Sequence, residues 1–106
     1  MIISKWTKRC QGLYNKMGVY SVYHQGKTCI YVGKSTDLGK RILRFFNPRT
    51  GKRLIEFKDG DITACLHLDN IHLEVSVIYN VHKLDSFERT MIAIKKPMYN
   101  KLLNYK

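Results

Sequence analysis

Two tyrosines, an arginine and a glutamate carry functional groups that can act on a phosphate ester, and a small fold can bring them together. Tyr20 and Tyr31 stand in two consecutive segments rich in Val, Ile, Thr and Tyr, so their phenols can share one sheet face. Arg41 follows, and its planar, permanently charged guanidinium suits bidentate contact with phosphate oxygens. Glu88 supplies a carboxylate, a hard ligand for Mg²⁺ or Mn²⁺. Gly33 has no side chain, which leaves room for a phosphate backbone.

The segments around the two tyrosines predict a β-hairpin. Residues 18–23 and 28–32 have the composition of strands, and a glycine-containing loop joins them. A helix that carries Arg41 is expected next, and residues 47–51 end it with a proline and a glycine. The N-cap candidates of this helix are Ser35, Thr36 and Asp37. Its apolar face consists of Leu38, Ile42, Leu43 and Phe46.

The second half of the chain predicts a long strand and a last helix. Residues 52–58 are expected to start a short helix, and residues 62–68 alternate weakly, as a strand would. Residues 71–81 predict a strand, and residues 87–95 predict a helix that Pro97 stops. One face of the strand is expected to hold Leu73, Val75, Val77 and Tyr79. The N-cap of the helix is expected at Asp85 or Ser86.

This order of elements predicts an α+β fold, with a small central antiparallel sheet of about three strands flanked by helices. We expect one domain over residues 1–106. Residues 1–16 form a basic N-terminal extension that can hold a short helix capped by Ser4. Residues 47–70 form a variable insertion.

The charge balance points to a polyanionic partner. Nineteen Lys and Arg stand against eight Asp and Glu, which gives a formal net charge of +11 on 106 residues. The sequence contains no apolar run of the ~20 residues that a membrane span needs and no secretory signal. Its three cysteines contain no CxxC pair, which argues against a disulfide framework. We therefore expect an intracellular, cytoplasmic protein, with a phage or mobile-element origin left open.

The motif residues are Gly18-Val19-Tyr20, Tyr31-Val32-Gly33-Lys34-Ser35, Leu38, Arg41, Glu88, Lys96-Pro97 and Tyr99-Asn100. This series resembles the GIY-YIG endonuclease family, with Val in place of Ile in each triad. The part from Glu88 onward also resembles the N-terminal nuclease domain of the bacterial nucleotide-excision-repair incision subunit. The resemblance spans about residues 18–103, nearly the whole chain.

The resemblance implies metal-dependent hydrolysis of phosphodiester bonds with a single metal ion. It implies Tyr31 as the general base, Arg41 as the group that stabilises the phosphate charge, and Glu88 as the sole protein ligand of Mg²⁺ or Mn²⁺. Tyr20 would orient water or Tyr31 by hydrogen bonding. A phenol with a pKa of ~10 is a poor base at neutral pH, so it needs help from neighbouring cations such as Lys34 and Arg41. Lys34 would act in proton transfer or phosphate binding, and a plain surface charge is an equally open reading of it.

Further residues are expected to contact the substrate around this centre. The candidates are Gly33, Arg44, Arg49, Lys52, Arg53 and Asn100. For Asn100, a purely local role in a turn is equally open. Many family members carry a histidine four residues after the arginine. Phe45 takes that position here, as an aromatic does in the excision-repair branch, which argues against a histidine-assisted mechanism.

DNA is the expected substrate of such a domain. Branched or damaged DNA, RNA, a homodimer and a partner protein all stay open as partners, and no membrane is expected. The alternative function is a catalytically silent nucleic-acid-binding protein of the same fold, and a third reading is a protein that docks its basic surface on an acidic partner. A metal requirement for cleavage separates the nuclease from both.

Overall fold

A computed structural model describes residues 1–24, 28–46, 54–59, 62–67 and 71–97, with residues 54–59 and 62–67 described by their backbone alone. The strands are β1 (Ile2–Ile3), β2 (Gly18–His24), β3 (Thr28–Ser35), β4 (Leu54–Asp59), β5 (Ile62–His67) and β6 (Ile71–Val77). The helices are a 3-10 helix (Lys8–Leu13), α1 (Leu38–Phe45) and α2 (Val81–Lys95).

The central sheet is antiparallel, with strand order β1-β6-β2-β3. β2 lies in the middle and pairs with β3 on one side and β6 on the other, so that Tyr20 stands opposite Gly33 and Val75. β1 adds two residues at the far edge, where Ile3 pairs with Leu73. The predicted α+β fold with about three main sheet strands is therefore confirmed, and β1 extends that sheet. β4 and β5 form a separate two-stranded sheet.

Each face of the central sheet is covered by one helix. α1 packs on the face that carries Tyr20 and Val22, and α2 packs on the opposite face, which carries Val19 and Val32. Gly18 shows how closely α1 approaches, because a Cβ there would lie 2.7 Å from Leu38 Cδ1 and still closer to a backbone carbonyl of β6. The first glycine of the motif is thus required by the packing of α1 and β6.

The helix predicted after the hairpin is α1, and its N-cap is Asp37, one of the three candidates. The Asp37 carboxylate accepts a hydrogen bond from the Lys40 backbone N–H at 3.1 Å. Leu38 and Ile42 are fully buried beneath the helix, as their spacing predicts. Phe46 is also buried, as predicted, whereas Leu43 is only half-buried and Phe45 enters the core in addition.

The last helix begins earlier than expected. α2 starts at Val81, because the Asn80 side chain accepts a hydrogen bond from the His82 backbone N–H at 2.9 Å and caps the helix there. The predicted start at residue 87, with Asp85 or Ser86 as the cap, is wrong, since both residues lie within α2. The strand predicted to reach residue 81 ends at Val77.

Two expectations for inward-facing or helical residues also fail. Tyr79 was expected to share one strand face with Leu73, Val75 and Val77, but it lies beyond the end of β6 and is 85% exposed. Residues 52–58 were expected to start a helix, but Leu54–Asp59 is a strand that pairs along its whole length with β5. Strand propensity is high at Ile55 and Phe57. A short isolated helix is only marginally stable, whereas here the backbone forms its hydrogen bonds with the neighbouring strand β5.

The N-terminal extension contributes to the sheet as well as to a helix. The expected helix is the 3-10 helix, whose N-cap is Thr7 without a side-chain cap, and not Ser4. Cys10 and Leu13 of that helix are buried against the α1 side of the core. Ahead of it, Met1 O accepts a hydrogen bond from the Val75 N–H at 2.8 Å.

Candidate active site

The two tyrosines lie side by side on the α1 face of the sheet, as their alternation predicts. The centroids of the Tyr20 and Tyr31 rings are 6.1 Å apart, with the rings tilted by 38°. Gly33 makes this arrangement fit, because a Cβ at that position would lie 2.8 Å from Tyr31 Cε2 and still closer to the Tyr20 hydroxyl. The space above Gly33 is filled by these two rings.

Arg41 reaches the same tyrosines from α1. Its guanidinium carbon lies 5.8 Å from the centroid of the Tyr20 ring, and its charge lowers the pKa of the Tyr20 hydroxyl. Phe45, one helical turn later, packs edge-on against Tyr20 with centroids 5.5 Å apart. The position that holds a histidine in many family members is therefore a buried wall behind Tyr20.

Tyr20 is held in its neutral form. Burial raises the pKa of Tyr20 far above its ordinary value, and the neighbouring Tyr31 adds to this because two adjacent phenols resist ionising together. Arg41 acts in the opposite direction without reversing the shift. At neutral pH the Tyr20 hydroxyl is therefore a hydrogen-bonding group and not a base.

Glu88 approaches the tyrosines from the opposite side of the sheet. β3 is an edge strand, so a backbone N–H that points away from β2 needs another acceptor. The Glu88 carboxylate lies close to the backbone N–H of Lys34 and near enough to Tyr20 to raise the pKa of Tyr20. Burial raises the pKa of Glu88 itself, and the charge of Asp85 adds to this, whereas the charge of Lys34 lowers it. A desolvated carboxylate of this kind gains most from a nearby cation.

Lys34 points to the α2 side and forms an ion pair with Asp85. The hydrogen bond raises the pKa of the Lys34 amine and lowers the pKa of the Asp85 carboxyl. Both side chains are well exposed, at 44% and 65%, so solvent screens the pair strongly. Lys34 is thus held next to Glu88 by a contact that an arriving anion can displace.

An open cleft of about 480 Å³ adjoins these residues. It lies between α1 and the first half of α2, and the turn after β3 forms its end. Four cations and one carboxylate contribute to its walls, and a buried leucine contributes to its lining. These residues are Lys34, Lys40, Arg41, Arg44, Asp37 and Leu84.

Comparison with known proteins decides which family this arrangement represents. The family model of the GIY-YIG catalytic domain matches residues 16–102. The chain belongs to the GIY-YIG family. The UvrABC system protein C of Sodalis glossinidius is 33% identical over 86 residues, which cover 81% of this chain and 13% of that protein. The same protein from Salmonella agona is 34% identical over 86 residues, again 13% of its length. This GIY-YIG domain therefore spans about an eighth of these relatives.

A solved structure has the same fold. The GIY-YIG N-terminal endonuclease domain of UvrC from Thermotoga maritima, bound to magnesium as its catalytic divalent cation, superimposes with a TM-score of 0.54 at 26% identity. The match covers 90% of this chain and 99% of that domain. The predicted family, fold and enzyme class, a GIY-YIG endonuclease, are confirmed.

The GIY-YIG domain brings together most of the predicted site. Tyr20, Tyr31, Arg41 and Glu88 converge at β3, and Lys34 lies beside them on the α2 side. Arg44 is exposed and lines the cleft. Four predicted contact residues lie outside the described residues: Arg49, Lys52, Arg53 and Asn100.

Two residues of the GIY-YIG site are absent from the sequence-based prediction. Asp85 lies one helical turn before Glu88 in α2. A prediction that α2 is capped by Asn80 would have placed Asp85 next to Glu88 on the same side of the helix. Lys40 directly precedes Arg41 in α1, and only the position of the cleft distinguishes it from the other lysines.

The residues at Glu88 fit a divalent metal ion. The carboxylate is half-buried and desolvated, and its acidic neighbour Asp85 is already paired with Lys34. Over the described ranges, no three side chains of His, Cys, Asp or Glu come close enough to hold an ion together. One protein carboxylate completed by water suits Mg²⁺, which usually retains several water ligands.

No helix in the described ranges is long and apolar enough to cross a membrane.

Proposed function

We propose that this domain is a metal-dependent DNA endonuclease that hydrolyses phosphodiester bonds with a single metal ion. The observation that carries the proposal is the convergence of Tyr20, Tyr31, Arg41 and Glu88 at the outer edge of β3, next to a cleft lined by cations. The net charge of +11 supports a polyanionic substrate. The related UvrC domain is an endonuclease that binds a catalytic divalent cation, which supports the reaction class.

The two tyrosines have different proposed roles, and their environments support the division. Tyr20 is buried and its pKa is raised, so it keeps its proton and orients water or Tyr31. Tyr31 is half-buried, and as the phenolate it accepts the proton of the attacking water.

Arg41 is the proposed stabiliser of the phosphate in the transition state. Its contact with Tyr20 fixes the guanidinium in the space between α1 and the tyrosines, where its remaining N–H groups are available to a phosphate. A fixed donor costs little reorganisation when negative charge develops on the phosphate oxygens.

Glu88 is the proposed protein ligand of Mg²⁺ or Mn²⁺. When bound, such an ion lowers the pKa of a coordinated water and neutralises charge on the phosphate. The Lys34 backbone N–H lies close to the Glu88 carboxylate. The Lys34 ammonium, which is paired with Asp85 on the exposed surface, is the proposed group for a phosphate oxygen or for proton transfer.

Arg44 is the proposed substrate contact within the described part of the chain, since it is exposed in the cleft. We also propose contacts from residues Arg49, Lys52 and Arg53 in the 47–70 insertion, and from Asn100. Gly33 contacts the tyrosine rings, so its proposed approach to the substrate backbone is an additional role. A homodimer and a partner protein are further proposals for making a double-strand cut.

The proposed function is tested by incubating supercoiled plasmid with the protein in Mg²⁺, in Mn²⁺ and in EDTA. Metal-dependent nicking is expected from the wild type, and none from Glu88→Gln, which keeps the size of the side chain but loses its charge. Glu74→Gln is the matched control, because Glu74 is a partly exposed carboxylate outside this site. Its carboxylate pairs with the Lys95 ammonium at a distance of 3.6 Å. It should cut like the wild type.

Three results would argue against the proposal. Equal cleavage by wild type and Glu88→Gln would reject the metal site. Cleavage in EDTA would reject the metal requirement. DNA binding without cleavage in any metal would favour a silent nucleic-acid-binding protein, and branched DNA and RNA would then be tried as substrates.

A further inference from the structure

The cleft is larger than one phosphate group requires. Its volume of about 480 Å³ lies in the range of small-molecule sites, which is roughly 300–1,000 Å³. Arg41 occupies the end next to Tyr20, where the proposed reaction takes place. Lys40 and Arg44 line the rest of the α1 wall and have no role in that chemistry.

The charges of the cleft are unbalanced in favour of an anion. Neither Lys40 nor Arg44 has a carboxylate of the described chain within ion-pair distance, and both are exposed. The acidic lining residue is Asp37, and its carboxylate already caps α1 through the Lys40 backbone N–H. Lys34, across the cleft, is held by Asp85.

The spacing on α1 brings two further cations within reach of a phosphate next to the one at Arg41. Lys40 and Arg44 are four residues apart, so they lie on one side of the helix and about 6 Å apart along its axis. Successive phosphates of one strand rise by about 3.4 Å along the duplex. A strand whose reacting phosphate lies at Arg41 therefore carries a neighbouring phosphate within reach of this pair of cations.

We propose that Lys40 and Arg44 form a second phosphate site in the cleft, which binds the phosphodiester group adjacent to the one that is cut. The inference rests on the proposed nuclease function and extends it. Lys40 and Arg44 are positioning residues: they bind the strand and fix which bond lies at Tyr31 and Arg41, and they take no part in bond cleavage.

The test uses an oligonucleotide duplex in which the main cut has been mapped, and two versions in which the phosphate on one or the other side of that bond is a neutral methylphosphonate. The proteins are wild type, the double variant Lys40→Gln/Arg44→Gln, and Lys8→Gln. Lys8 is an exposed lysine on the 3-10 helix that does not line the cleft, so it controls for the loss of one charge.

With the wild type, one of the two neutral positions should lower kcat/KM at least about tenfold, the effect of losing a charge-assisted hydrogen bond. The double variant should cut the natural duplex about that much more slowly, through KM and not kcat, and should lose nothing further on that modified duplex. Lys8→Gln should behave like the wild type on every duplex.

Equal further slowing of the double variant by both modified duplexes would overturn the second site, as would unchanged cleavage of the natural duplex. If no protein cuts any duplex, the proposed function fails separately. The second site is then judged by duplex binding in EDTA. A slope of log K against log salt that is shallower by about 0.9 or more in the double variant supports it, and an unchanged slope rejects it.

Discussion

Replacing Gly33 by alanine should damage both the stability and the activity of the domain. The added Cβ would lie 2.8 Å from Tyr31 Cε2 and closer still to the Tyr20 hydroxyl, where ordinary contacts are 3.4–4 Å. Tyr20 cannot retreat, because it is 1% exposed and Phe45 packs against it at 5.5 Å. Overpacking of this kind costs about 1–3 kcal/mol, and we expect the upper half of that range.

Thermal unfolding followed by circular dichroism measures this cost. For a domain of this size, each kcal/mol lowers Tm by roughly 4–8 °C. Gly12→Ala is the matched control, since nothing lies within 4 Å of a Cβ at that position. Plasmid nicking, measured well below both melting temperatures, should fall at least about tenfold in Gly33→Ala, because the phenols are displaced. A Tm within about 2 °C of the wild type together with wild-type nicking would refute the reasoning.

Two further substitutions separate the roles of residues at the site. Tyr20→Phe should slow nicking at least about tenfold with a small change in Tm, because the ring keeps its packing while the hydroxyl near Arg41 is lost. Unchanged nicking at saturating metal would contradict this role. Asp85→Asn should release Lys34, which can then bind a phosphate. The slope of log K for DNA binding against log salt is expected near −4.5 for about five phosphate contacts, and it should become steeper by about 0.9 in this variant. Anisotropy of labelled DNA in EDTA measures the slope, and a steepening that persists in Asp85→Asn/Lys34→Gln would show that Lys34 is not the cation released.

The sequence predicts the hairpin and α1 well because local signals agree there. Strand composition, the Asp37 cap and the apolar spacing of α1 all indicate the same structure, so tertiary packing has little to override. The position of Tyr20 and Tyr31 on the same face of the sheet follows from the alternation of side chains, and the ring centroids lie 6.1 Å apart.

The start of α2 was less predictable because its signals conflict. Ile78, Tyr79 and Val81 favour a strand, and only the Asn80 cap shows that the chain has turned into a helix. The error hid Asp85, whose pairing with Lys34 depends on its position within α2. The prediction for Gly33 was also incomplete, because no pattern in a single sequence shows that two rings occupy the space above a glycine.

The position of the proposed site at the edge of the sheet follows from where its residues originate. Arg41 belongs to the helix on one face of the sheet and Glu88 to the helix on the other. Side chains from opposite faces can meet only around an edge, and β3 is the edge strand next to both helices. The Glu88 carboxylate lies close to the Lys34 backbone N–H at this edge, where a further strand would otherwise pair. A further strand paired with β3 would remove this contact and separate Glu88 from the tyrosines. The proposed chemistry therefore requires the open edge of β3, and we expect the substrate to approach there.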